Sequence, residues 1–107
     1  MQSRYRDING RPLESGVYLH ADTTPILIKV RGDGALDYSV QNFISLNIHN
    51  SSRLLSPLDE DQVKERLESR RDFKMWLKSL SEGLLPNGQS RDLVFLARGI
   101  LNGTKLT

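Results

Sequence analysis

Near Ser56 the spacing of apolar residues changes from a period of two to a period near 3.6. No other feature constrains the fold of this chain as strongly, because the first period belongs to strands and the second to helices. Before Ser56, Val17 and Leu19 alternate with Tyr18 and His20, and "ILIKVR" is rich in β-branched and aliphatic residues. "ALDYSV" then places Leu36, Tyr38 and Val40 on one face. "FISLNIH" repeats the alternation, with Phe43, Ser45, Asn47 and His49 against Ile44, Leu46 and Ile48. These runs predict four strands, or five if "RYRDI" adds one. Asn9-Gly10, Pro12 and Ser15-Gly16 punctuate the start, and "GDG" at 32–34 supplies the positive φ of a tight hairpin. Connections this short imply an antiparallel meander, since a parallel crossover needs a dozen residues or more.

After Ser56 the helical period takes over. Ser56 suits an N-cap, Pro57 the first helical position and Asp59 the positive end of the dipole. Val63 and Leu67 define an inner face, which then meets Arg70 and Arg71 and fails. The apolar set resumes out of phase at Phe73, Trp76, Leu77 and Leu80. Ser69 followed by Asp72 has the form of a capping box, so a break is expected near Glu68–Ser69. Gly83 suits the residue after a helix, and Pro86 with Asn87-Gly88 makes a turn. A last helix from Ser90 carries Leu93, Leu96, Ala97, Ile100 and Leu101 as a stripe and stops at Asn102-Gly103. The predicted class is α+β: an N-terminal antiparallel β-meander of four or five strands, then two or three C-terminal helices packed on one sheet face. At 107 residues this is one domain, with a β-rich part at 1–55 and a helical part at 56–107.

Charge bears on partners. The formal net charge is +2, and 64–78 holds six basic side chains. Asp59, Glu60, Asp61, Glu65, Glu68 and Asp72 nearly cancel them. On a helical wheel the basic residues flank the Phe73–Trp76–Leu77–Leu80 stripe, as on an ordinary core-facing helix, and only Met75 falls outside it among the apolar residues. A nucleic-acid reading would use Arg66, Arg70, Arg71, Lys74 and Lys78 against phosphates. A helix-turn-helix fits poorly, because the last helix offers only Arg91 and Arg98 to bases.

Catalytic signatures are thin. There is no cysteine, which removes disulfides and thiolate metal sites. His20 and His49 have no third ligand at metal-binding spacing, and Asp33 and Asp37 flank a hairpin, where aspartate is a common turn residue. Neither G-x-S-x-G, a Walker pattern nor G-x-G-x-x-G occurs. "RGD" at 31–33 is a three-letter match in a chain expected to carry no export signal. The sequence therefore predicts no enzyme, no metal and no cofactor. It predicts a small cytoplasmic regulator, adaptor or inhibitor of bacterial or phage type that works by protein–protein contact or self-association, away from membranes. The expected contact surface is an uncovered sheet face or a sheet edge, with Tyr18, His20, Lys29 and Arg31 on it. Met75 with Arg71 is a second possible contact.

Overall fold

A computed structural model describes residues 3–41, 46–83 and 91–103. The α+β prediction holds: a four-stranded antiparallel sheet is followed by helices that pack on it. Strand β1 (Gly16–His20) pairs with β2 (Thr24–Val30), and β2 with β3 (Leu36–Val40). A helical turn, α1 (Ile48–Ser51), and a short 3-10 turn lead into β4 (Leu55–Pro57). Helices α2 (Glu60–Ser69), α3 (Arg71–Ser81) and α4 (Arg91–Leu101) follow. None of the described helices is long and apolar enough to cross a membrane.

The fourth strand is not where alternation placed it. Phe43 to Ser45 lie outside the described residues, and Ile48 and His49 are helical. Asn47 explains the change: its side chain accepts the His49 N–H at 3.0 Å and starts a helical turn. Leu55–Pro57 supplies the strand instead, beside β1, so the sheet order is β3-β2-β1-β4. The first three strands form a meander and the fourth returns to the far edge. "RYRDI" forms only a single bridge, Arg6 to Pro12.

Helix α2 likewise starts later than Ser56. Ser56 and Pro57 belong to β4, and Asp59 is the N-cap. Asp59 Oδ1 accepts the Gln62 N–H at 2.8 Å while Gln62 Oε1 accepts the Asp59 N–H at 2.9 Å. This reciprocal box satisfies two orphan donors, more than Ser56 could. The expected break is present: α2 ends at Ser69, and Arg70 (φ −124°, ψ 104°) is extended between the two helices. Ser69 does not cap α3, since its hydroxyl donates back to the Glu65 carbonyl at 2.8 Å. Gly83, with φ of 71°, ends α3 in the left-handed region.

Because the side chains of a strand alternate, the sheet separates two cores. On one face, Val17 and Leu27 meet Val63, Phe73, Trp76, Leu77, Leu80, Leu93, Ala97 and Ile100 from the helices. The opposite face is not open. Tyr18, Ile26, Ile28 and Val40 are covered there by Leu13, Ile48 and Leu55, with Tyr5, Leu36, Tyr38 and Leu46 at the margin. Each large apolar side chain buried this way contributes about 1.5–3 kcal/mol. The second core is why Tyr18, with 4% of its surface exposed, is no contact residue.

Candidate functional site

The β2–β3 hairpin fixes which backbone groups face outward. The Arg31 N–H donates to the Ala35 carbonyl at 2.8 Å, and the Gly34 N–H to the Arg31 carbonyl at 2.9 Å. With Gly34 at φ 88°, this is a type I turn closed by a glycine bulge. Bonded and unbonded pairs alternate along an antiparallel ladder. Counting from Arg31–Ala35, the bonded pairs are Lys29–Asp37 and Leu27–Ser39; Val30–Leu36, Ile28–Tyr38 and Ile26–Val40 are the others. The N–H and C=O groups of Leu36, Tyr38 and Val40 therefore point away from β2. Strand β3 ends the sheet, and no hydrogen bond among the described residues takes up these groups.

The other edge is closed. Strand β4 is three residues long and ends in Pro57, which has no N–H. The Ile8 N–H binds the Leu55 carbonyl at 3.0 Å, and the Ala21 N–H binds that of Leu54 at 3.0 Å.

A cleft of about 530 Å³ lies beside the open edge. Leu36, Tyr38 and Ile48 give it apolar walls, Arg4, Tyr5 and His49 a polar rim, and the 33–35 turn closes one end. The Tyr5 hydroxyl and His49 Nδ1 are hydrogen-bonded, and the two rings meet edge to face at 4.8 Å. The Arg4 guanidinium sits 5.3 Å from the Tyr5 ring centre. The Tyr38 hydroxyl donates to the Leu46 carbonyl at 3.0 Å, which fixes that ring. Unpaired backbone beside an amphipathic hollow is the geometry by which a sheet accepts an added strand and reads one of its side chains.

The contact residues expected from the sequence do not share one surface. Tyr18 and His20 lie on the second-core side; Tyr18 is buried and His20 half-buried. The Tyr18 hydroxyl accepts the Glu14 N–H at 2.9 Å. Burial raises its pKa above the ordinary tyrosine value, more than that hydrogen bond lowers it; Asp7 and Glu14 add to the rise. Within the His20 ring, Nε2 is sealed from solvent without a hydrogen-bond partner among the described residues. Strand parity puts Lys29 and Arg31 on the helix side instead. Arg31 holds Asp37 with two bonds, Nε to Oδ2 at 3.0 Å and Nη2 to Oδ1 at 2.5 Å. These bonds, with the charges of Asp37, Asp33 and Asp92, raise its pKa further and keep it cationic. Met75 is 56% exposed on the outside of α3, as its place on the wheel predicts.

The basic set also divides. Arg66 and Arg70 line a small polar pocket of about 90 Å³ with Thr23, Thr24, Gln41 and Asp72. There the Gln41 Nε2 donates to Asp72 Oδ2 at 3.2 Å, tying the end of β3 to the start of α3. Arg71, Lys74 and Lys78 are exposed along α3. Arg98 donates from Nε to the Ser81 carbonyl at 3.0 Å and serves the end of α3, not a groove.

Sequence reasoning missed Tyr5, His49, Leu36 and Val40 as site residues. Gly34 in "GDG" was the available signal, since a bulged hairpin sets the ladder phase and so the outward residues of β3. No protein-family model, curated protein or solved structure matches the chain.

Proposed function

We propose that this chain is a non-catalytic protein-interaction module, of adaptor or inhibitor type, that receives an extended polypeptide segment along β3. The observation that supports this most directly is the outward row of N–H and C=O groups at Leu36, Tyr38 and Val40, without partners among the described residues. An exposed edge of this kind is a template for another strand. Natural edges are blunted by proline, lysine or brevity; β4 is short and ends in proline, whereas the five residues of β3 include neither proline nor lysine. The bound segment gains its affinity from main-chain bonds, and the Tyr5–Tyr38–His49 cleft takes one of its side chains. The proposed setting is the cytoplasm.

Site-specific photo-crosslinking in the producing cell tests the reading. A photoreactive residue at Leu36 should give protein adducts, and one at Met75 should give none. Adducts at Met75 alone would move the contact to α3.

A second reading rests on the exposure of Arg71, Lys74 and Lys78 along one helix. It makes the chain a nucleic-acid binder whose affinity falls steeply with salt. Gel shifts at low and moderate ionic strength separate the two, and no shift at low salt excludes the second.

A further inference from the structure

We infer that the strand received by β3 is β3 of a second copy of this chain, paired antiparallel about a two-fold axis at Tyr38. This rests on the open edge proposed above and names its occupant. Hydrogen bonds close only where an outward residue of one copy faces an outward residue of the other. With Leu36, Tyr38 and Val40 outward, three antiparallel registers pair two or more of them with outward residues of the second copy. In one, Leu36 faces Tyr38 of the second copy, and Asp37 then stands directly opposite Asp37, a like-charge pair that opposes association. In another, Tyr38 faces Val40, and Leu36 is left beyond the pairing.

The central register has neither defect. Tyr38 faces Tyr38, Leu36 faces Val40, and every outward N–H and C=O of the strand finds a partner. Leu36, Tyr38 and Val40 share the second-core side, so their cross-strand pairs continue that apolar layer into the other copy. On the helix side Asp37 meets Ser39, a hydroxyl facing a carboxylate already held by Arg31. The strand is five residues long with Tyr38 at its centre, so the pairing is self-complementary, as a two-fold interface requires. The result is one continuous sheet that joins two copies through their β3 edges, with the two β4 edges outermost.

Three measurements test this together. Sedimentation equilibrium of the unaltered chain should show the mass rising with concentration towards about twice the monomer value. Since the chain has no cysteine, a single one introduced by Tyr38→Cys reports the axis directly. Facing bonded residues have Cα atoms about 5.5 Å apart, within disulfide range. Tyr38→Cys should therefore oxidise to a covalent dimer, and Leu36→Cys should not. Amide exchange at Leu36, Tyr38 and Val40 should slow as concentration rises. A monomer at every concentration whose three amides exchange freely overturns the second copy and leaves the edge open to another protein. Slow exchange in a chain that sediments as a monomer means the edge is closed within one chain, and both readings fail. A dimer that links through Leu36→Cys but not Tyr38→Cys overturns the register, whether or not the Tyr38 variant folds.

Discussion

Trp76 packs under the sheet with its ring centre 5.8 Å from that of Phe73, and its indole Nε1 is buried without a hydrogen-bond partner among the described residues. Truncation by Trp76→Ala leaves a large cavity and should cost about 3–5 kcal/mol in urea unfolding. Trp76→Phe keeps most of the packing and removes the orphan donor, so its cost should be clearly smaller than that of the alanine variant. Tyr18 gives a pH signature. Its folded pKa lies above the ordinary value of about 10, so above that pH the folded state holds a proton that the unfolded state has released. This part of the stability is fully present below about pH 10 and is lost as pH rises towards the folded pKa. Alkaline titration of the unfolding free energy should show that fall, and Tyr18→Phe should reduce it. The burial of Trp76 could be read from the wheel, because Phe73, Trp76, Leu77 and Leu80 share one helical face. That of Tyr18 could not. Alternation showed that Tyr18 and Val17 point to opposite sides, and nothing local showed that Leu13, Ile48 and Leu55 would arrive to cover the second side.

At the scale of elements, caps decide boundaries that hydrophobic period leaves open. "SPLDEDQ" contains two plausible N-caps three residues apart, and Asp59 prevails because Gln62 closes the box behind it. Asp59→Ala should cost about 1 kcal/mol by thermal or urea denaturation. Ser56→Ala should cost distinctly less, since Ser56 sits in β4 and its hydroxyl makes only a 3.3 Å bond to Asp22. Equal losses would return the helix start to Ser56. The junction of α2 and α3 was legible for the opposite reason: the apolar stripe changes phase there, and a straight helix cannot face one core with both halves. "FISLNIH" misled because alternation over a few residues does not exclude a helical turn, and the capping side chain of Asn47 is the better guide to the backbone at Ile48 and His49.

For the whole molecule, class and order of elements were readable from the change of period, while strand order was not. The place of β4 beside β1 depends on a return across the sheet that no short-range pattern records. The open edge inherits that limit. The turn at Gly34 identifies the outward groups of β3, but only the full strand order shows that no other described strand lies alongside them. Strand β2 joins the two cores through consecutive residues: Leu27 belongs to one, Ile26 and Ile28 to the other, and all three are inaccessible to solvent. Neither core can come apart while β2 stays in place, so the two should unfold in one cooperative step. The chain carries its own optical probes for this. Its single indole reports from the helix side, and its three phenols, Tyr5, Tyr18 and Tyr38, all report from the reverse side. Tryptophan emission and tyrosine near-ultraviolet dichroism, followed through one denaturant titration, should trace superimposable curves; separated midpoints would show that the two layers melt independently.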